Sequence, residues 1–442
     1  MTMKKIKTVL VKCVLLSFGF NTGSALAEWQ WSSVNDLGDQ GGRALPQVSV
    51  EPKSGHATVV WLDDTNAFES KIRAANYSDG NWQPADTVSQ GQGKGWPQVA
   101  MVKKGGATVV WNESGSSGYV LSGATWNPMR NQWRVTTSNA KALEYQIVKN
   151  KNGVATIIWL ENMEDYTVLR ASRMTASGKW MPSSKIAQGL IGSDYGVTIA
   201  GNGVITVVWS QPITNAYQIK SSQFRNGKWT VVRNVSTPDK SCANSEPGES
   251  CIDGLPRVAV DGKGNLAAVW QRFRSDDLPV EILVAQFKNG KWGGEKKLGS
   301  AGDRAGFPQI VSDAKGNLTA VWDYTNPNAS PLAVSGYVKA SQLAYRGSQW
   351  TDPVILGPLT SINSKPQLVM DNLGNTTVAW EDIDSKTSQW RIVGVHQDTG
   401  RWGEPVDLCT SCSSPSLGVD NAGVVTAVWS GVEKIQSRRG SE

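Results

Sequence analysis

Gly55-His56-Ala57-Thr58-Val59-Val60-Trp61 reads as a glycine turn leading into a β-branched run that stops on tryptophan, and its pattern returns seven more times along the chain. Aligned on Trp61, Trp111, Trp159, Trp209, Trp270, Trp322, Trp380 and Trp429, every copy has a glycine six residues upstream: Gly55, Gly105, Gly153, Gly203, Gly264, Gly316, Gly374 and Gly423. Threonine stands three residues before the tryptophan in seven copies and Ala267 takes that place in the other; the two residues between are always Val, Ile or Ala. Such a run is a short strand entered from a turn. Another strand precedes the turn and is usually opened by proline, as in Pro97-Gln98-Val99-Ala100-Met101-Val102 and Pro308-Gln309-Ile310-Val311, a position where a missing backbone N–H is tolerated.

A second tryptophan follows in copies one to seven: Trp82, Trp133, Trp180, Trp229, Trp292, Trp350 and Trp402. Most come after a tight turn such as Ser78-Asp79-Gly80-Asn81 or Asn226-Gly227-Lys228, the mark of a hairpin. Each repeat is therefore four short antiparallel strands in about 50 residues, the content of a propeller blade. The eighth copy ends too soon for a fourth strand. Trp31, followed six residues later by Leu37, has the register of the missing one. The expected fold is all-β, a single eight-bladed β-propeller spanning residues 28–442, closed by an N-terminal strand that completes the last blade and removes exposed edges.

Residues 1–27 read as a signal peptide, with Lys4, Lys5, Lys7 and Lys12, the apolar stretch Val14–Phe20 and then Ala25-Leu26-Ala27. The protein is expected to be secreted or periplasmic. The leader holds four lysines and no acid, so the formal charge of +6 falls by 4 to +2 once it is removed. That near balance gives no support for a nucleic-acid partner. After the leader no apolar run approaches the roughly 20 residues of a membrane span. With only His56 and His396, histidine triads and His-rich zinc sites are nearly excluded, and no metal or cofactor is expected. Beyond Cys13, the cysteines fall in two close pairs, Cys242 with Cys251 and Cys409 with Cys412. In an oxidising compartment they read as two local disulfides.

The chain resembles secreted β-propeller repeat proteins over essentially all of its mature length. The nearest enzymatic comparison is with sialidase-like propellers carrying Asp-box turns. Asp398-Thr399-Gly400-Arg401-Trp402 is similar to such a box, with one residue fewer between Gly and Trp and with His396 in the Ser position. The box is a turn motif, so the resemblance implies fold and assigns no catalytic residue.

Sixteen of the twenty tryptophans fall in register, as packing between blades requires. Trp29, Trp96, Trp126 and Trp390 do not. Trp96 and Trp390 are expected on the face shared by the loops from second to third strand and from blade to blade, with Trp29 and Trp126 toward the other. The loop face collects Asp63, Asp64, Glu113, Glu161, Asp276, Asp277, Asp323, Glu381 and Asp382, while the hairpins opposite carry Arg130, Lys179, Lys228, Lys288, Lys291, Arg346 and Arg401. Aromatic faces and carboxylates on one rim suit a sugar. The candidate ligand-binding residues are Asp63, Trp96, Tyr145, Tyr195, Phe307, Asp323, Tyr324, Glu381 and Trp390. The leading expectation is a non-enzymatic binding protein for a glycan or an envelope or host protein. Alternatives are a glycoside hydrolase or lyase using rim carboxylates and a structural role in envelope assembly.

Overall fold

The computed structural model describes residues 29–441, except 42–43, 67–68, 92–93, 116–117, 139, 143, 151–152, 176, 193, 215, 239–250, 275–279, 300–303, 326–335, 360–363 and 385. The expected signal segment and Cys242 lie outside the described residues. Among these residues the protein is all-β, with a single 3-10 turn at Lys103–Gly105 and no helix long and apolar enough to cross a membrane.

The strands form antiparallel meanders over 47–91, 98–137, 145–189, 195–234, 251–297, 304–359, 367–410 and 413–441, which we call units one to eight. They make up seven sheets, because units four and five are joined by one parallel pair, Ala216 with Cys251. Unit eight takes its fourth strand from the N-terminus: Trp31 pairs with Gly440, and Asn35–Asp39 runs antiparallel to Lys434–Ser437. The first strand of each unit lies against those of the units before and after it, and that of unit eight, Ser413–Val419, lies against that of unit one, Gln47–Val50.

The repeated tryptophans explain why the sheets stack. Trp61, Trp111, Trp159, Trp209, Trp270, Trp322, Trp380 and Trp429 are fully buried, and each packs into the preceding unit. Trp111, for example, sits among Val60, Leu62, Ile72 and Ala74 of unit one. Those of the fourth strands, including Trp31, Trp82 and Trp133, are half-buried at the outer edge. A large flat ring on every sheet buries apolar area at each junction, so each unit needs its neighbour.

The turns between first and second strands contain a device absent from the sequence reading. In units five, six and seven the turn is Asp-x-x-Gly-Asn: Asp371 Oδ1 accepts the N–H of Leu373 at 2.8 Å and of Asn375 at 2.9 Å, and Asn375 Nδ2 donates to Asp371 Oδ2 at 3.1 Å. Asp261 does the same, and Asp313 takes the N–H groups of Gly316 and Asn317 and the Asn317 amide. Two constraints then keep the repeated glycine. Gly374 has φ 95°, and a Cβ on it would stand 3.3 Å from Asp313 Oδ2 of unit six. The left-handed backbone is the constraint common to these turns, and the close approach to the preceding unit adds to it at Gly374.

Candidate functional site

On the loop face each second strand continues past its tryptophan, and successive side chains point to opposite sides of the sheet. Residues two beyond the tryptophan lie on its side, and in units two, three, five and seven they form ion pairs. Glu113 pairs with Lys94, and Glu161 with Arg170. In unit five the polarity is reversed: Arg272 reaches Asp253 at 2.6 and 2.9 Å and Glu295 at 3.0 Å. In unit seven Arg391 bonds Asp382 at 2.8 Å and Asp407 at 3.2 Å. Burial opposes ionisation of Glu113, but hydrogen bonds from Lys94 and Ser122 outweigh it and hold the carboxyl below its ordinary value.

Residues one beyond the tryptophan point the other way and fasten the next unit. Ser210 donates to the carbonyl of Asp253. Glu381 accepts the N–H of Ser414. Asp323, only 5% exposed, takes the N–H groups of Gly306, of Ser364 just ahead of unit seven, and its own. Burial nevertheless pushes its carboxyl up to about 6, against those hydrogen bonds.

The residues just before the proline of each first-strand segment share this face. Leu45, Leu255, Phe307, Lys365 and Ser414 have φ between 37° and 59°, and each immediately precedes a proline. Non-glycine residues in the left-handed region cost of order 1–3 kcal/mol each unless their surroundings enforce it. Strain is thus concentrated where the first strands of units five, six and eight bulge and just before those of units one and seven begin. In units three and four the corresponding residues are Glu144 and Asp194. Burial raises the Glu144 carboxyl, and Asp194 raises it further; Asp194 also supports the charge of Arg257, which burial disfavours.

The expected ligand residues separate into distinct environments. Trp96 and Trp390 are 50% and 46% exposed and offer free ring surface. Phe307 is half-buried, with Lys365 Nζ 5.7 Å from its ring centroid, and lies in the same unit as Asp323. Tyr324 stacks on Tyr337 at 6.3 Å with Lys339 Nζ 3.7 Å from its ring. Other members serve structure. Tyr195 is 1% exposed and donates to the carbonyl of Ile158 at 2.9 Å, so its ring faces protein. Tyr145 is buried and its hydroxyl donates to the carbonyl of Trp96, which it positions. Asp63 is buried and bonds Thr65 Oγ1 at 2.8 Å. The structure brings together Trp96 with Tyr145, beside which Tyr195 donates to the carbonyl of Glu144, and Phe307 with Asp323; Asp63 belongs to another unit.

The two other out-of-register tryptophans are covered. Trp126 packs with Met101 and Trp133, and Trp29 stacks on His396 at 3.5 Å. Cys409 and Cys412 form a disulfide between units seven and eight. Cys251 is buried at the first position of its strand and is disulfide-bonded. Sequence reasoning passed over Lys365, Glu144, Asp194 and Arg257. The signal that could have found them is their shared position at the proline- or tyrosine-marked start of a first strand. Among the described residues no cluster of three His, Cys, Asp or Glu side chains is arranged to hold a metal.

No protein-family model matches the chain, and the comparison with curated proteins found no relative. Solved structures do share the fold. An ulvan lyase described as a polysaccharide lyase bound to -[GlcA(1-4)Rha3S]- is 9% identical, with a TM-score of 0.52 over 76% of this chain and 90% of that one. A second polysaccharide lyase is 8% identical, with a TM-score of 0.50 over 82% and 93%. A protein of unknown function from Dyadobacter fermentans covers 93% of this chain and 99% of its own at 11% identity, with a TM-score of 0.43.

Proposed function

We propose that the chain is an exported eight-bladed β-propeller that binds a glycan on its loop face and does not cleave it. The observation that carries this reading is the contrast between the rings and the acids on that face. Trp96 and Trp390 offer ring surface to solvent, whereas Glu113, Glu161 and Asp382 are engaged by Lys94, Arg170 and Arg391. Stacking surface remains available for the apolar side of a sugar, while Glu113, Glu161 and Asp382 each sit in an ion pair that occupies the carboxylate. The eight meanders, the adjacency of first strands from unit eight back to unit one, and the N-terminal strand in unit eight support the closed ring. The leader-like residues 1–27 support export.

A second reading, a glycoside hydrolase or polysaccharide lyase, is favoured by a different observation. Asp323 and Glu144 are loop-face carboxyls raised by burial, as a general acid requires, and the fold is shared with polysaccharide lyases.

A polysaccharide array probed with the mature protein, with product analysis on every polymer bound, separates the two. Binding without cleavage is expected. Trp96→Ala should weaken it with an unchanged melting temperature, whereas Trp111→Ala should cost roughly 3–5 kcal/mol of stability. Cleavage abolished by Asp323→Asn or Glu144→Gln would establish the enzyme instead.

A further inference from the structure

The face opposite the loops carries a second, chemically different surface. Between the hairpins of units five and six lie two adjoining cavities of 340 and 210 Å³, which share Gln286 and Lys288. The larger is walled by Lys288, Lys291, Lys296 and Trp350, the smaller by Lys263, Tyr345 and Arg346. All five cations are exposed. The one acid in these walls, Asp261, is turned inward: its oxygens accept the N–H groups of Lys263 and Asn265 and the Asn265 amide within 2.9 Å. The turn thus consumes its lone pairs, and the cleft presents a strongly positive surface.

Each cavity sets a half-buried ring beside cations. Lys263 Nζ stands 4.7 Å and the Arg346 guanidinium 5.2 Å from the Tyr345 ring centroid. Hydrogen bonds from Lys263 and Arg346 also hold the Tyr345 phenol below its ordinary range, as expected where positive charge accumulates. Two cationic cavities side by side fit a polymer that repeats its negative charges. Four lysines to one arginine supply point charges rather than planar forks. Base stacking would need open ring faces, but Tyr345 is flanked by cations and Trp350 packs against the core of units five and six.

We propose that this cleft binds an acidic polysaccharide, seating a carboxylate or sulfate group among the cations of each cavity. This surface is independent of the loop-face reading, and either can fail alone.

The test measures binding of the mature protein to heparin, polygalacturonate, neutral dextran and single-stranded DNA over a range of salt. Heparin, polygalacturonate or both should bind, with affinity falling steeply as salt rises; which of them binds distinguishes sulfate from carboxylate recognition. Lys288→Glu combined with Lys291→Glu should weaken that binding about tenfold or more with an unchanged melting temperature, and Trp96→Ala should leave it unaltered. Undiminished affinity in the double variant would overturn the proposal. So would equal binding of dextran, preference for DNA over both acidic polymers, or loss of binding through Trp96→Ala instead.

Discussion

Asp323 holds its proton to about pH 6 because burial penalises the charge more than three backbone N–H groups repay. In the unfolded chain an aspartate ionises near pH 4. Between those values the folded protein binds more protons than the unfolded chain, so stability falls as pH rises from about 4 to 6, and the cost persists above. A displacement of that size corresponds to about 2–3 kcal/mol. Asp323→Asn carries no charge to bury, and its urea-unfolding free energy should decline less over this interval than that of the native chain. Parallel pH profiles for the two proteins would show that Asp323 is well solvated. The same balance separates Asp323 from Glu113, whose cationic partner reverses the outcome.

At the scale of single elements, the N-terminal segment is held by more than its ladder. Trp31 pairs with Gly440, and a Cβ on Gly440 would lie 2.6 Å from the Trp29 ring and 3.0 Å from that of Trp31, so the last strand needs glycine there. Trp29 reaches on into unit seven and stacks on His396 with the rings 7° from parallel. Thr377 Oγ1 lies 2.8 Å from His396 Nδ1. Burial lowers the imidazole to about 4, although Asp371 and Asp398 act in the other direction. Because the folded-state value lies below the unfolded one, this docking contributes fully above about pH 6.5 and is lost as pH falls toward 4. Trp29→Ala should uncover the imidazole and move its pKa up toward 6.5 in an NMR titration. A value still near 4 would show that other groups bury His396.

For the whole molecule, the stacked tryptophans make stability a matter of neighbours. Each unit supplies the surface that the next tryptophan fills, and unit eight must meet unit one while borrowing its outer strand from residues 30–39. Leu37 and Ile435 share one core cluster with Trp61, so that strand also helps close the junction onto unit one. Deleting residues 29–39 should lower the melting temperature by far more than trimming a frayed end, since it opens an edge and unpacks a junction together. A melting temperature equal to that of the intact chain would overturn the closed ring. Charge is also distributed at this scale: Glu113, Glu161 and Asp382 of the loop face are ion-paired, while the cations of the hairpin cleft between units five and six remain exposed.

The repeat period, the glycine turns, the two tryptophan registers and the N-terminal strand that pairs with the last were all legible in the amino-acid order, because each is a local pattern imposed eightfold. Side-chain alternation along a strand and the conformational freedom of glycine are short-range effects, and repetition amplifies them. The availability of each rim side chain was decided by tertiary structure. Tyr195 and Trp96 occupy equivalent positions at the start of their units to within one residue, yet one is sealed against the carbonyl of Ile158 and the other half-exposed. Glu113 and Asp323 are both acids just past a repeated tryptophan, but one residue of offset turns them to opposite sides of the sheet, one to Lys94 and the other to buried backbone. The cleft of lysines likewise joins residues from 263 to 346. Ionisation, burial and pairing depend on what the adjoining sheet brings into contact, and only the stacking of units settles that.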